Sequence, residues 1–168
     1  PDVVAVVMGR ATEKYESFEK GLKDRARAEG LSDRMLFLPE VPVGDTADFY
    51  RVLDLYVAPQ RWEGFGLTPI EAMACGVPCI LSANTGHLDI ITDDNCFALD
   101  DQRSVTDPNS RTSMWRESRV EQIVEQLETI YTDQTAARQH GEAGAAFIGN
   151  LSWQNQTSAL VVAVSDLL

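Results

Sequence analysis

Val3 to Val7 form an almost uninterrupted apolar, β-branched run, which predicts a strand buried on both faces, as in parallel sheets. Apolar positions then switch to helical spacing at Tyr15, Phe18, Leu22 and Ala26, with Thr12 as the cap and Gly30 as the stop. Met35 to Leu38 predicts a second strand, closed by Pro39. Asp45 caps a short helix carrying Phe49, Val52 and Leu53, and Leu55 to Ala58 predicts a third strand. A helix over Thr68 to Ala74, ended by Gly76, leads to a fourth strand over Val77 to Leu81. A short helix over His87 to Ile91, a turn at Asp93 to Asn95 and a fifth strand over Phe97 to Leu99 complete the alternation. Strands alternating with helices predict the α/β class, an open, doubly wound parallel sheet.

The pattern changes after residue 99. Residues 100–114 are polar and aperiodic and read as a loop, and residues 115–168 read as a helical tail. Val120, Ile123, Val124, Leu127 and Ile130 line one helical face, Thr135 to Ile148 form a second helix, and Trp153, Leu160, Val161, Val164 and Leu168 mark a last amphipathic one. Trp115 and Trp153 are expected to anchor this tail.

The chain has 168 residues, the size of one domain, and no apolar run approaches the roughly 18 residues of a membrane span. Its formal charge is -12, unevenly spread: residues 1–61 carry 9 basic and 11 acidic groups, the rest 5 and 15. Such a surface repels nucleic acid and anionic lipid, so a bound phosphate has to be held locally by backbone amides or a few placed cations. Three cysteines and no signal sequence fit a reducing, cytoplasmic compartment; with only His87 and His140 as histidines, no metal site is expected. The chain begins at Pro1 without an initiator methionine and reads as a piece of a longer protein.

The informative segment is QRWEGFGLTPIEAMACGVPCI, Gln60 to Ile80, which runs from a strand through a glycine-rich loop into a helix. Ligands of parallel α/β sheets bind at such strand ends. Gly64 and Gly66 let a backbone approach a ligand, and the helix start offers free amides and about half a positive charge. Glu63 and Glu71 bracket this cradle. Beside a diphosphate, carboxylates make sense if they face neutral hydroxyls, such as those of a sugar and a ribose. Thr68 and Glu71 also match a capping box with Pro69 at the first helical position, so Glu71 reads equally as a cap or a ligand contact. Arg10 and Arg61 read as structural arginines before phosphate clamps, His87 as structural before a general base, and Trp62 as packing or stacking.

The run E-G-F-G-L-T-P-I-E-A-M-A-C-G-V-P resembles the E-x7-E segment of retaining GT-B glycosyltransferases, the group 1 or GT4-like family. PDVVAVVMGR, RMLFLPEVP, DLYVAPQRWEGFGLTPIEAMACGVPCI and the late LSW at 151–153 follow that family's order. Within the family, VPVGDTADFYRVLDLYVAPQRWEGFGLTPIEAMACGVP looks most like lipopolysaccharide-core mannosyltransferases. The resemblance implies a Rossmann-like GT-B C-terminal domain over residues 1–168, truncated at its N-terminus. It implies Glu63 at the donor hexose near the reacting carbon as the catalytic residue, and Glu71 on the ribose hydroxyls. Gly64, Phe65, Gly66, Leu67 and Thr68 would meet the sugar and diphosphate; Leu38, Pro39, Glu40 and Val41 the base; Gly9 and Arg10 the same crevice.

The implied reaction is hexosyl transfer, with retention, from a nucleoside diphosphate sugar, GDP-mannose favoured, to a glycan or lipid-linked hydroxyl of the lipopolysaccharide core. No cofactor and no metal are implied, and no nucleic acid partner; the full-length protein could associate with a membrane. The alternatives are a non-catalytic nucleotide-sugar binding or interaction module, or a GT-B-like glycogen synthase or epimerase. The family's phosphate-binding Arg and Lys lie upstream, as does the N-terminal acceptor-binding domain. The chain alone is therefore expected to fold, bind donor weakly and transfer no sugar. Gly86, His87, Leu88 and Asp89 stand where relatives often carry a G-G-x-x-E-like run, and Cys96 where they have a turn glycine.

Overall fold

The computed structural model describes residues 3–9, 13–105 and 114–165, arranged as two compact units, Pro1–Thr46 and Ala47–Leu168. In the first, strand β1 (Ala5–Gly9) pairs in parallel with β2 (Met35–Pro39), Ala5 opposite Met35 and Gly9 opposite Pro39. Helix α1 (Glu13–Ala28) makes the crossover. It stops where expected: Gly30 takes φ 70°, its amide bonds the Arg27 carbonyl at 3.2 Å, and the Leu31 amide reaches back to Ala26 O at 2.8 Å. These bonds satisfy the last carbonyls of the helix. The Thr12 cap lies outside the described residues. Burial differs from the expectation: β1 is half-buried rather than buried on both faces, and Phe18 is exposed.

A 3-10 turn, Val43–Asp45, closes the first unit, and the second begins within α2 (Thr46–Arg51). Its sheet is β3 (Tyr56–Ala58), β4 (Cys79–Ser82) and β5 (Phe97–Leu99), all parallel, with β4 in the middle. Every residue of β4 is buried, because it is covered on both faces. Cys79 and Leu81 join a cluster with Tyr50, Met73, Ile90 and Ile148, whereas Ile80 joins Phe97, Leu99, Ile130 and Ala137. That division is the two-residue alternation of a strand. Burial pushes the Cys96 thiol up to about 12 and raises Cys79 as well, so both are inert core thiols at neutral pH.

Helix α3 (Leu67–Ala74) connects β3 to β4; α4 (Val120–Thr132) and α5 (Gln134–Gly149) follow the sheet. Asp133 caps α5 by accepting from the Ala136 amide at 2.9 Å. Gly141 makes the α3–α5 approach possible, since a Cβ there would lie 2.3 Å from Gly76 O.

Two features of the tail correct the sequence reading. The stretch 100–114 is not simply a loop: Gln102–Ser104 forms β6, which pairs antiparallel with β7 (Arg116–Ser118) inside the supposedly all-helical region. These strands are three residues long and polar, so hydropathy gives no sign of them. Helix α6 (Trp153–Ser165) buries none of its described residues, and Trp153, expected as an anchor, is 90% exposed. Among the described residues no helix is long and apolar enough to cross a membrane.

Candidate functional site

The loop between β3 and α3 is built around the Glu63 carboxylate. Glu63 Oε1 accepts from the amides of Gly64 at 2.8 Å and Gly66 at 3.2 Å. The Glu63 side chain thus ties its own loop. Gly66 then adopts φ 82°, the left-handed region open to glycine, and caps α3. A Cβ on Gly66 would meet Pro69 Cγ at 3.1 Å and His87 Cδ2 at 3.3 Å, so both conformation and space require glycine.

The capping box is corrected. With Gly66 as the cap and no side-chain capping bond, Thr68 and Glu71 lie inside the helix and are held by two tyrosines. Tyr56 Oη bonds Thr68 Oγ1 at 2.9 Å, and Tyr50 Oη donates to Glu71 Oε2 at 3.1 Å. Tyr50 is buried and packs edge-on against Phe49 and Tyr56. Burial first, and then the Glu71 hydrogen bond, raise the Tyr50 pKa, so the phenol remains a proton donor. Neither tyrosine stood out in the sequence; the available signal was two aromatic hydroxyls on the elements packed against α3. Glu71 is exposed, and its Oε1 accepts no hydrogen bond from the described residues.

Helix geometry leaves the amides of Leu67 and Thr68 without intrahelical partners, the first α-helical bond running from Ile70 N to Gly66 O at 3.0 Å. Phe65 and Leu67 are exposed at this end. The second unit thus brings Glu63, Gly64, Phe65, Gly66, Leu67 and Thr68 together around one helix start, with Glu71 one turn further on. Trp62 packs over Gly64, whose Cβ position lies 3.7 Å from Trp62 Cη2. Arg61 is a structural arginine: its Nε donates to Glu117 Oε1 at 2.9 Å.

His87 is wholly buried behind Gly66. Its Nδ1 donates to Ser82 O at 3.0 Å, which leaves Nε2 an acceptor without a partner among the described residues. Desolvation lowers its pKa, opposed by the Ser82 carbonyl and the Glu63 charge. A neutral, enclosed imidazole is a packing element of the loop rather than an exposed general base.

In the first unit, Gly9 and Pro39 are direct partners at the carboxyl ends of β1 and β2. Leu38 belongs to β2, with Glu40 and Val41 immediately after it. Arg10 lies outside the described residues. No group of three or more His, Cys, Asp and Glu placed to hold a metal occurs among the described residues.

Helix-start amides with a partial positive charge suit an anion, and flanking carboxylates suit hydroxyls. The family described as "Glycosyl transferases group 1" matches residues 1–147. The lipopolysaccharide core biosynthesis mannosyltransferase LpsB of Rhizobium meliloti (strain 1021) is 46% identical over 112 residues, 64% of this chain and 31% of that protein. LpcC of Rhizobium leguminosarum bv. viciae, named likewise, is 51% identical over 87 residues, 52% of this chain and 24% of its own. The chain thus spans about a third or less of these relatives. Among solved structures, the C-terminal domain of a glycosyl transferase group 1 family protein (LpcC) from Francisella tularensis matches with a TM-score of 0.70 and 26% identity, covering 89% of this chain and 70% of that one.

Proposed function

From the premise that this chain belongs to the glycosyl transferases group 1 family, with the α/β fold of a GT-B C-terminal domain, we propose that it binds the nucleoside diphosphate sugar of a retaining hexosyltransferase. The observation that carries the reading is the placement of two carboxylates on either side of one helix start. Glu63 is fixed by the Gly64 and Gly66 amides and Glu71 by the Tyr50 hydroxyl. Each carboxylate retains one oxygen for a ligand hydroxyl. Between them, the Leu67 and Thr68 amides can receive a diphosphate.

The donor hexose sits against Glu63 and the ribose against Glu71, with Gly64, Phe65, Gly66, Leu67 and Thr68 along the sugar and diphosphate. As the bond from the anomeric carbon to the leaving diphosphate breaks, negative charge grows on the diphosphate, and preorganised amides stabilise it. The acceptor oxygen forms the new bond with retention, and its proton leaves with the diphosphate. Upstream cations complete this stabilisation, and no metal is required.

The similarity to two mannosyltransferases of lipopolysaccharide core biosynthesis favours GDP-mannose as donor and a core-glycan or lipid-linked hydroxyl as acceptor. An N-terminal domain of the same polypeptide would bind that acceptor. Three free thiols suit a reducing, cytoplasmic setting. The test is turnover of GDP-mannose, UDP-glucose and ADP-glucose by the polypeptide carrying this chain, with product stereochemistry read by NMR. Mannosyl transfer with retention is expected; inversion, or no transfer from any donor, rejects the proposal.

A further inference from the structure

The β6–β7 hairpin grips the segment that leads into the Glu63 loop. Arg116 N donates to Arg61 O at 2.8 Å, and the Arg61 guanidinium pairs with Glu117. A second tether runs through side chains. Gln102, on β6, donates from Nε2 to Leu99 O at 2.6 Å and to Ser118 Oγ at 2.7 Å. Its Oε1 accepts from Asn84 Nδ2 at 2.9 Å, and the same Nδ2 donates to Gln60 O at 2.9 Å. Thr85 Oγ1 donates to Asn84 Oδ1 at 3.0 Å and accepts from the Glu63 amide at 2.9 Å.

This is a continuous run of hydrogen bonds from a strand outside the parallel sheet to the backbone of Glu63. Asn84 and Ser118 are 3% and 6% exposed, so their bonds are not readily replaced by water. Thr85 holds φ 43°, a costly conformation for a β-branched residue, which indicates that its surroundings fix it. Gly86 completes the seat: its amide bonds Glu63 O at 3.0 Å, and a Cβ there would lie 2.2 Å from Gly64 O.

We infer that the β6–β7 hairpin, acting through Gln102, Asn84 and Thr85, positions the Glu63 loop for hexosyl transfer. The catalytic consequence rests on the proposed role of Glu63; the positioning itself does not. Gln102, Asn84 and Thr85 are positioning residues, since none needs to touch the donor. A run that merely satisfied buried polar groups would affect stability; a positioning run controls where Glu63 sits and therefore the rate of the chemical step.

The test measures amide hydrogen exchange and donor kinetics in the polypeptide carrying this chain, comparing wild type with Gln102→Met, Thr85→Val and Thr85→Ser. Exchange at the Glu63 amide is expected to rise about tenfold in Gln102→Met and Thr85→Val, as for loss of one net hydrogen bond. The Ile80 amide, in the sheet core, should be unchanged, and Thr85→Ser, which keeps the hydroxyl, should retain slow exchange. In the same two variants kcat should fall by a similar factor with donor KM nearly constant. If Gln102→Met does not fold, the Thr85 pair carries the comparison. Unchanged Glu63 exchange, or an equal rise at Ile80, overturns the inference. The expected exchange pattern in a polypeptide that transfers no hexose upholds the positioning and rejects the proposed function instead.

Discussion

Tyr50 Oη lies 3.1 Å from Glu71 Oε2, joining a buried phenol on α2 to an exposed carboxylate on α3, 21 residues away. The bond orients Glu71 ahead of the proposed ribose contact, which would reduce the entropy lost on binding. Tyr50→Phe keeps the ring packing and removes the donor. Stability should fall by about 1 kcal/mol and donor affinity by a factor of about five. Urea denaturation and calorimetric titration check the two effects separately.

Glu63→Gln tests charge against loop geometry. A glutamine retains an Oε1 that can accept from the Gly64 and Gly66 amides, so the fold should melt as wild type does. Transfer should slow by about 100-fold or more, the scale for removal of one electrostatic contact at a reacting centre. A turnover assay with matched melting curves decides it, and wild-type turnover would remove Glu63 from the chemistry.

Gly86→Ala would place a methyl group 2.2 Å from the Gly64 carbonyl oxygen. Backbone on both sides has no room to yield cheaply, so the Glu63 loop must move. Destabilisation of at least about 2 kcal/mol is expected, with donor binding lost alongside. Gly44→Ala, at a glycine with open space around it, is the control and should be close to neutral.

These predictions rest on side-chain contacts that hydropathy could not disclose. Strands β1 to β5 were legible because each is a short apolar run set off by polar, Gly- or Pro-bearing segments. The helix start was legible in place but not in detail. Thr68 and Glu71 have capping-box spacing, yet a left-handed Gly66 starts α3 before Thr68, and Tyr50 and Tyr56 then take the two side chains. The β6–β7 hairpin left no trace because its strands, Gln102–Ser104 and Arg116–Ser118, are fixed by polar contacts and not by an apolar face. Helix α6 shows the converse, an apolar sequence whose described residues are not buried.

His87 gives a dependence on pH. Its folded pKa lies below the ordinary 6.5, because burial disfavours the imidazolium. The unfolded chain therefore takes up the proton first. The contribution of the neutral imidazole is fully present above about pH 6.5 and is lost as pH falls through that value toward the folded pKa. Urea denaturation at pH 7.5 and 5.5 should show a steeper loss in wild type than in His87→Gln. Equal losses would show that the enclosed ring does not resist protonation.

The central claim is that Glu71, beside the amide-rich start of α3, holds the nucleotide sugar. Calorimetric titration of GDP-mannose into the polypeptide carrying this chain, as wild type and as Glu71→Ala, tests it most directly. Saturable binding that weakens by about tenfold or more in the variant is the predicted result, equivalent to roughly 1.4 kcal/mol or more. Glu71 makes no capping bond, but its removal leaves the Tyr50 hydroxyl without its acceptor, so the variant should lose about 1 to 3 kcal/mol of stability and still fold. Wild-type affinity in Glu71→Ala, with the fold intact, would contradict the claim.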